Sequence, residues 1–195
     1  VTANNAYPVD RFFVAQNSSS TWSAQQSSTA PAGFTKSLAF TQTTGQAVSA
    51  GNITEIAQRI EGFNVADLGW GTINAQTVTL SFWVRSSLTG TFGVSFINGA
   101  YNRSYVASYT ISSANTWEYK TVTIAGDTSG TWLTDNGRGL NINWDLGVGT
   151  TFSNSAGSWA AGDYEGLTGG VKLAATTGAT FYITGVQLEK GSTAT

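Results

Sequence analysis

The chain of 195 residues contains no cysteine, histidine or methionine, and only 10% of it is charged, giving a formal net charge of −2 at pH 7. Those absences exclude a disulfide framework, a thiolate nucleophile, His-based triads and zinc sites built on Cys or His. Paired carboxylates, a Lys or a Tyr remain for catalysis, and no basic footprint for nucleic acid or anionic lipid is present.

An average soluble domain is roughly 25% charged. Here the polar load falls instead on Ser, Thr, Asn, Gln and 23 glycines. The length suits a single domain spanning residues 1–195, and the start at Val1-Thr2-Ala3 reads as a piece of something longer. Apolar runs are only a few residues long, so no membrane insertion is expected.

Period-two alternation runs through most of the chain, and a sustained helical period is missing, so the expectation is all-β with little or no helix. Arg11 to Ala15, Lys36 to Thr41 and Glu55 to Phe63 read as the first strands. Asn17 to Ser28 reads as a polar loop anchored at Trp22. In Thr77 to Arg85, Val78, Leu80, Phe82 and Val84 point one way and Thr79, Ser81, Trp83 and Arg85 the other. Phe92, Val94 and Phe96 follow on one face of the next strand, then Tyr105, Ala107, Tyr109 and Ile111. Trp117 to Ala125 changes parity between Tyr119 and Val122, which suggests a bulge. Leu140 to Val148 alternates cleanly, and Phe181 to Glu189 closes the set. Roughly nine strands with one polar face each describe an antiparallel β-sandwich of the jelly-roll type. Trp117 and Trp144 lie on apolar parity and are expected in its core.

Two Gly-rich stretches break the rhythm, Ala125 to Gly139 and Gly149 to Ala179. Loops of this length are usually functional or hide short strands. Exposed rings suit the C–H faces of sugars, so the candidate ligand residues are Trp132, Asp135, Asn136, Arg138, Trp159 and Tyr164 from these stretches, with Trp83 and Arg85 from the strand. Arg59, Glu61, Arg85, Arg103 and Glu118 read as cross-strand charge pairs or, alternatively, as the floor of a polar groove that meets sugar hydroxyls or a sugar carboxylate. Asp127 with Asp135, or Asp163 with Glu165, could be nominated as glycosidase carboxylates, but no spacing rule supports either pair. No catalytic residues are expected.

The strands Val78 to Arg85, Trp117 to Ile124 and Phe181 to Glu189, in that order, resemble the galactose-binding-like jelly rolls of carbohydrate-binding modules. The phrases Asp10 to Val14, Gln58 to Gly62, Ser81 to Phe92, Asn115 to Lys120 and Tyr182 to Gly191 resemble a domain of tailed-phage and prophage tail fibres and other virion appendages. The first resemblance would bring a structural calcium near the final strand. Thr184-Gly185 stands where its carboxylates would be, so no cofactor and no metal site is expected.

These resemblances imply a non-catalytic virion or extracellular adhesion module of a tailed phage that binds host cell-surface glycans. Its partners would then include other virion proteins and further copies of itself, as a trimer if in a fibre, with no nucleic acid. The alternatives are a purely architectural virion domain and an accessory carbohydrate-binding module of a glycoside hydrolase.

Overall fold

The computed structural model describes residues 5–195. Among them are fourteen strands, four one-turn 3-10 segments and no α-helix. A seven-stranded sheet takes β1 (Ala6–Val9), β2 (Phe12–Gln16), β5 (Thr54–Glu61), β10 (Arg138–Asp145), β7 (Gly90–Asn98), β8 (Arg103–Ile111) and β12 (Trp159–Ala161), in that spatial order. A five-stranded sheet takes β3 (Thr21–Ser27), β4 (Ser37–Thr44), β14 (Thr180–Lys190), β6 (Val78–Ser86) and β9 (Glu118–Ile124). Every pairing within these sheets is antiparallel; β11 (Ser153–Asn154) and β13 (Gly166–Leu167) form a short parallel ladder of their own. The fold is a jelly-roll-like antiparallel sandwich.

The inner faces meet in one apolar layer. Val78, Leu80, Phe82, Val84, Phe92, Val94, Phe96, Ile142, Trp144 and Leu146 are all 0% exposed, as their shared parity requires. Burying each such side chain stabilises the fold by roughly 1.5–3 kcal/mol relative to exposure. Phe82 is the hub of the layer: its ring stands edge-on to both Tyr109 and Trp144, at 5.1 and 5.7 Å.

Three expectations need correction. Residues 17–28 are not all loop, because Thr21–Ser27 is the edge strand β3, paired to β4, with Trp22 and Ala24 buried. An edge strand needs apolar residues on one face only, and here a tryptophan and a small alanine carry the whole period. Trp117 is not core: it precedes β9 and is only half-buried, with its ring 6.2 Å from that of Tyr182. Finally, β9 pairs with β6 in unbroken register from Val78↔Ile124 to Val84↔Glu118, so the bulge there is absent. Glu118 and Lys120 simply extend the face of Val122 and Ile124 toward the sheet end, where they bond each other.

The irregularity of that sheet lies in β14, between Thr184 and Gln187. Gly185 there has φ +61°, and a Cβ on it would fall 2.6 Å from the Phe34 ring. Only glycine fits the left-handed backbone and the close ring together.

The middle of the seven-stranded sheet is buried on both faces, which departs from a half-solvated sheet. Apart from the edge strand β12, the segment from 149 to 170 folds over its outer side. Ser95 Oγ donates to the Glu165 carbonyl at 3.1 Å, and Asp145 accepts from Leu167 N at 3.0 Å and Lys172 Nζ at 2.6 Å. The outward residues of β10 and β5 are nevertheless polar: Asn141, Asn143, Asp145 and Glu55.

Candidate functional site

Past the edge of this covering segment, the outer face of the sheet opens into a groove of about 650 Å3. It is lined by Tyr7, Pro8, Val9, Asp10, Arg11, Arg59, Ile60, Glu61, Asn136 and Arg138. Five of these ten residues are charged, against 10% of the chain, so charge is concentrated here.

The strands set the positions. Arg59 and Glu61 lie two apart on β5 and therefore share a face. Glu61 pairs with Arg138 and Arg59 with Asn141 across to β10, with a register shift between Arg138 and Leu140. That shift is what turns Arg138 outward. Gly139 sits at the shift, where a Cβ would lie 2.6 Å from Gly62 Cα, so the chain closes there only because residue 139 is glycine. The β1–β2 hairpin supplies the opposite wall, with Arg11 at its tip in the left-handed region, φ 64°.

Two guanidinium groups are held against rings. Arg59 Cζ lies 3.8 Å above the Phe13 ring, with Nη1 3.5 Å from the Tyr7 hydroxyl. Arg138 Cζ lies 4.5 Å from the Tyr101 ring, and Arg138 donates to the Tyr101 hydroxyl at 2.6 Å and to the Gly99 carbonyl at 3.4 Å. The ring contact fixes one face of each planar fork; Arg59 spends one N–H on Tyr7, Arg138 spends two on Tyr101 and Gly99, and the remaining N–H donors have no hydrogen-bond partner among the described residues. Glu61 is oriented by Asn64 Nδ2, which donates to Oε2 at 2.9 Å. The Tyr7 ring is 54% exposed, an open apolar surface beside these polar groups.

Behind the groove, where the covering segment meets the sheet, four carboxyls influence one another. Burial, then Glu165, Asp163 and Asp145, hold the Glu55 carboxyl well above its usual range, against the pull of Arg59. Burial, with Asp163 and Asp145, raises Glu165 to about 7. Burial also raises Asp163, and Arg138 opposes it. Glu55 Oε2, Glu165 Oε2, Asp163 Oδ1, Asn141 Nδ2 and Asn143 Nδ2 have no hydrogen-bond partner among the described residues. Burial thus raises the affinity of these carboxyls for protons, against the pull of the neighbouring cations.

The eight residues singled out from sequence go to different places. Asn136 and Arg138 line the groove. Asp135 caps its own turn, with Oδ1 accepting from Gly137 N at 2.8 Å. Trp132 and Trp159 meet each other and the buried Trp70, all three edge to face at 4.7–5.4 Å. Their indole N–H groups donate to the Ser129 and Ala125 carbonyls. Tyr164 is half-buried in the covering segment, with its ring against Gly162. Trp83 and Arg85 lie on the outward face of the five-stranded sheet. Trp83 packs against Tyr119, and Arg85 lies 4.9 Å over Tyr182 and donates to the Asn115 carbonyl.

Tyr7, Arg11 and Tyr101 were not legible as site residues. Their only sequence signal is an arginine at a hairpin tip and tyrosines next to turns.

No protein-family model and no curated protein matches the chain. Among solved structures, it is similar to a suspected sugar-binding protein from Bacteroides thetaiotaomicron, with 11% identity over 98% of this chain and 92% of that one, TM-score 0.53. The CBM22-1–CBM22-2 tandem domain of Paenibacillus barcinonensis Xyn10C is similar over 98% of this chain and 50% of that one, at 13% identity and TM-score 0.50. The enzymatically active domain of bacteriophage CBA120 tailspike protein 4 is similar at 12% identity and TM-score 0.48; the match covers 93% of this chain and spans 19% of the tailspike chain. The first two likenesses, at these identities, bear on the fold alone.

Proposed function

We propose that the chain is a non-catalytic glycan-binding module and that the groove between the β1–β2 hairpin and β5 holds the sugar. The observation that carries this reading is the composition of the groove wall. It sets one exposed ring, Tyr7, beside three guanidiniums, two carboxylates and an amide, in a chain otherwise poor in charge. A sugar offers an apolar C–H face and closely spaced hydroxyls that both donate and accept. Arg11, Arg59 and Arg138 donate, Asp10 and Glu61 accept, and Asn136 does both.

An accessory module beside a larger catalytic chain fits better than a virion appendage, since the two neighbours of higher similarity are a tandem of carbohydrate-binding modules and a suspected sugar-binding protein. The virion setting rests on the sequence phrases alone.

A rival location for the same function is the outward face of the five-stranded sheet, where Trp83, Trp117, Tyr119 and Tyr182 are all partly exposed beside Arg85. A glycan array run on the parent and on Tyr7→Ala and Trp83→Ala separates the two. Loss of binding with Tyr7→Ala alone is the expected result. Loss with Trp83→Ala alone moves the site to the aromatic face, and an array without hits removes the glycan reading.

A further inference from the structure

Of the nine Lys and Arg side chains, four are in ion pairs among the described residues: Arg103, Lys120, Lys172 and Lys190. Five are left, and three of those five, Arg11, Arg59 and Arg138, line the one groove. Unpaired arginines in a chain of net charge −2 would be expected to scatter or to find carboxylates. Here Asp10 and Glu61 line the same groove, yet neither forms an ion pair with an arginine among the described residues.

The arginines are also arranged for a planar anion. Arg59 and Arg138 are diagonal neighbours on one sheet face, Arg138 opposite Glu61 and Arg59 two residues along, which places their Cα atoms roughly 7–8 Å apart. Phe13 and Tyr101 cover a face of each guanidinium, so a ligand meets the N–H donors that Tyr7, Tyr101 and Gly99 do not take. The one side-chain hydrogen bond of Arg59 among the described residues is the long one to Tyr7, which leaves most of its five N–H donors unspent.

The charge count selects the kind of anion. Three arginines against Asp10 and Glu61 leave the groove at about one positive charge. A sugar with a single carboxylate matches that, and its hydroxyls have Asp10, Glu61 and Asn136 to bond. A multiply sulfated or phosphorylated chain would bring excess negative charge against the two carboxylates.

We propose that the groove is specific for a carboxylate-bearing sugar, a uronate or sialate unit, whose carboxylate is taken by the edges of Arg59 and Arg138, with Arg11 closing over it from the hairpin tip. This rests on the glycan reading above and narrows it to one ligand class. The affinity would fall with added salt, since Arg11 and Arg59 are exposed and Arg138 partly so.

The test is an array carrying neutral, uronate-bearing, sialylated and sulfated glycans, followed by calorimetric titration with tetragalacturonate and its methyl ester, or with the matched acid and ester of whichever array glycan binds best. Hits confined to carboxylated glycans are expected, with at least tenfold weaker binding of the ester. Arg59→Gln and Arg138→Gln should each weaken binding about tenfold or more, and Arg59→Lys should not restore it. Arg11→Gln, at an exposed hairpin tip, keeps the test independent of folding and should weaken binding severalfold. Hits confined to neutral or sulfated glycans, or carboxylate binding indifferent to all three arginines, would overturn the inference and leave the glycan reading standing. An array with no hits would overturn both.

Discussion

Arg103 grips Asp127 with both prongs of its guanidinium, Nε to Oδ2 and Nη2 to Oδ1, each at 2.7 Å. The carboxylate is almost fully buried and also accepts from Ser129 N at 3.0 Å. Asp127 opens the Gly-rich stretch that ends at Gly139, and Arg103 opens β8. The pair therefore ties the loop carrying Trp132 to the seven-stranded sheet. Gly130 sits against the bridge, where a Cβ would come 2.5 Å from Arg103 Cγ. A carboxylate that could be nominated for catalysis from sequence thus works as a loop anchor.

Asp127→Ala should destabilise the fold by about 2–4 kcal/mol, because a buried bidentate pair and a turn cap are lost together while Arg103 keeps some access to water. Urea unfolding followed by tryptophan fluorescence measures this. A loss under 0.5 kcal/mol would mean the loop is held by its tryptophans alone.

Stability should fall as pH rises from about 4.5 to about 7. Glu165 is raised from its usual value to about 7 in the folded protein, so in this window the native state binds more protons than the unfolded chain. The stabilising difference is therefore fully present below 4.5 and is lost as pH passes through 7. Holding this carboxyl at about 7 instead of its usual 4.5 corresponds to about 3 kcal/mol at most. Glu165→Gln should flatten the dependence and raise the melting temperature at pH 8 but not at pH 4.5. An unchanged slope in the variant would assign the effect to Glu55 or to another group.

Trp159→Ala and Trp132→Ala should each lower the melting temperature, Trp159 more. Trp159 stacks edge to face with Trp70, Trp132 and Tyr105 and donates to the Ala125 carbonyl, whereas Trp132 has ring contacts with the two tryptophans and donates within its own loop. Losses of about 2–4 and 1–3 kcal/mol follow from truncating partly buried aromatics. If either variant melts with the parent but loses glycan binding, that ring belongs to a binding surface instead.

No glycan should be hydrolysed by the purified chain. Asp127 is held by Arg103, Asp135 caps a turn and Glu165 is buried where the covering segment meets the sheet. Reducing-end release from an array-positive oligosaccharide, abolished by Asp10→Asn or Glu61→Gln in the groove, would contradict this.

The alternation of Val78 to Val84 and of Leu140 to Trp144 determined which residues form the core, because side-chain direction in a strand is fixed by local geometry alone. The lack of Cys and His likewise determined which chemistries were closed. The strand β3 was harder to read, since an edge strand with one solvated face leaves almost no apolar period. The groove was decided only by tertiary structure. Arg59, at the middle of β5, and Arg138, at the start of β10, are 79 positions apart, and neither has a local pattern marking it as exposed and unpaired. Pairing of β5 with β10, the shift at Gly139 and the hairpin at Arg11 bring three arginines to one wall. The same applies to the buried carboxyls: sequence parity would place Glu55 and Asp145 on a solvated face, and the segment folded over that face, not their own strands, removes the water and raises their affinity for protons.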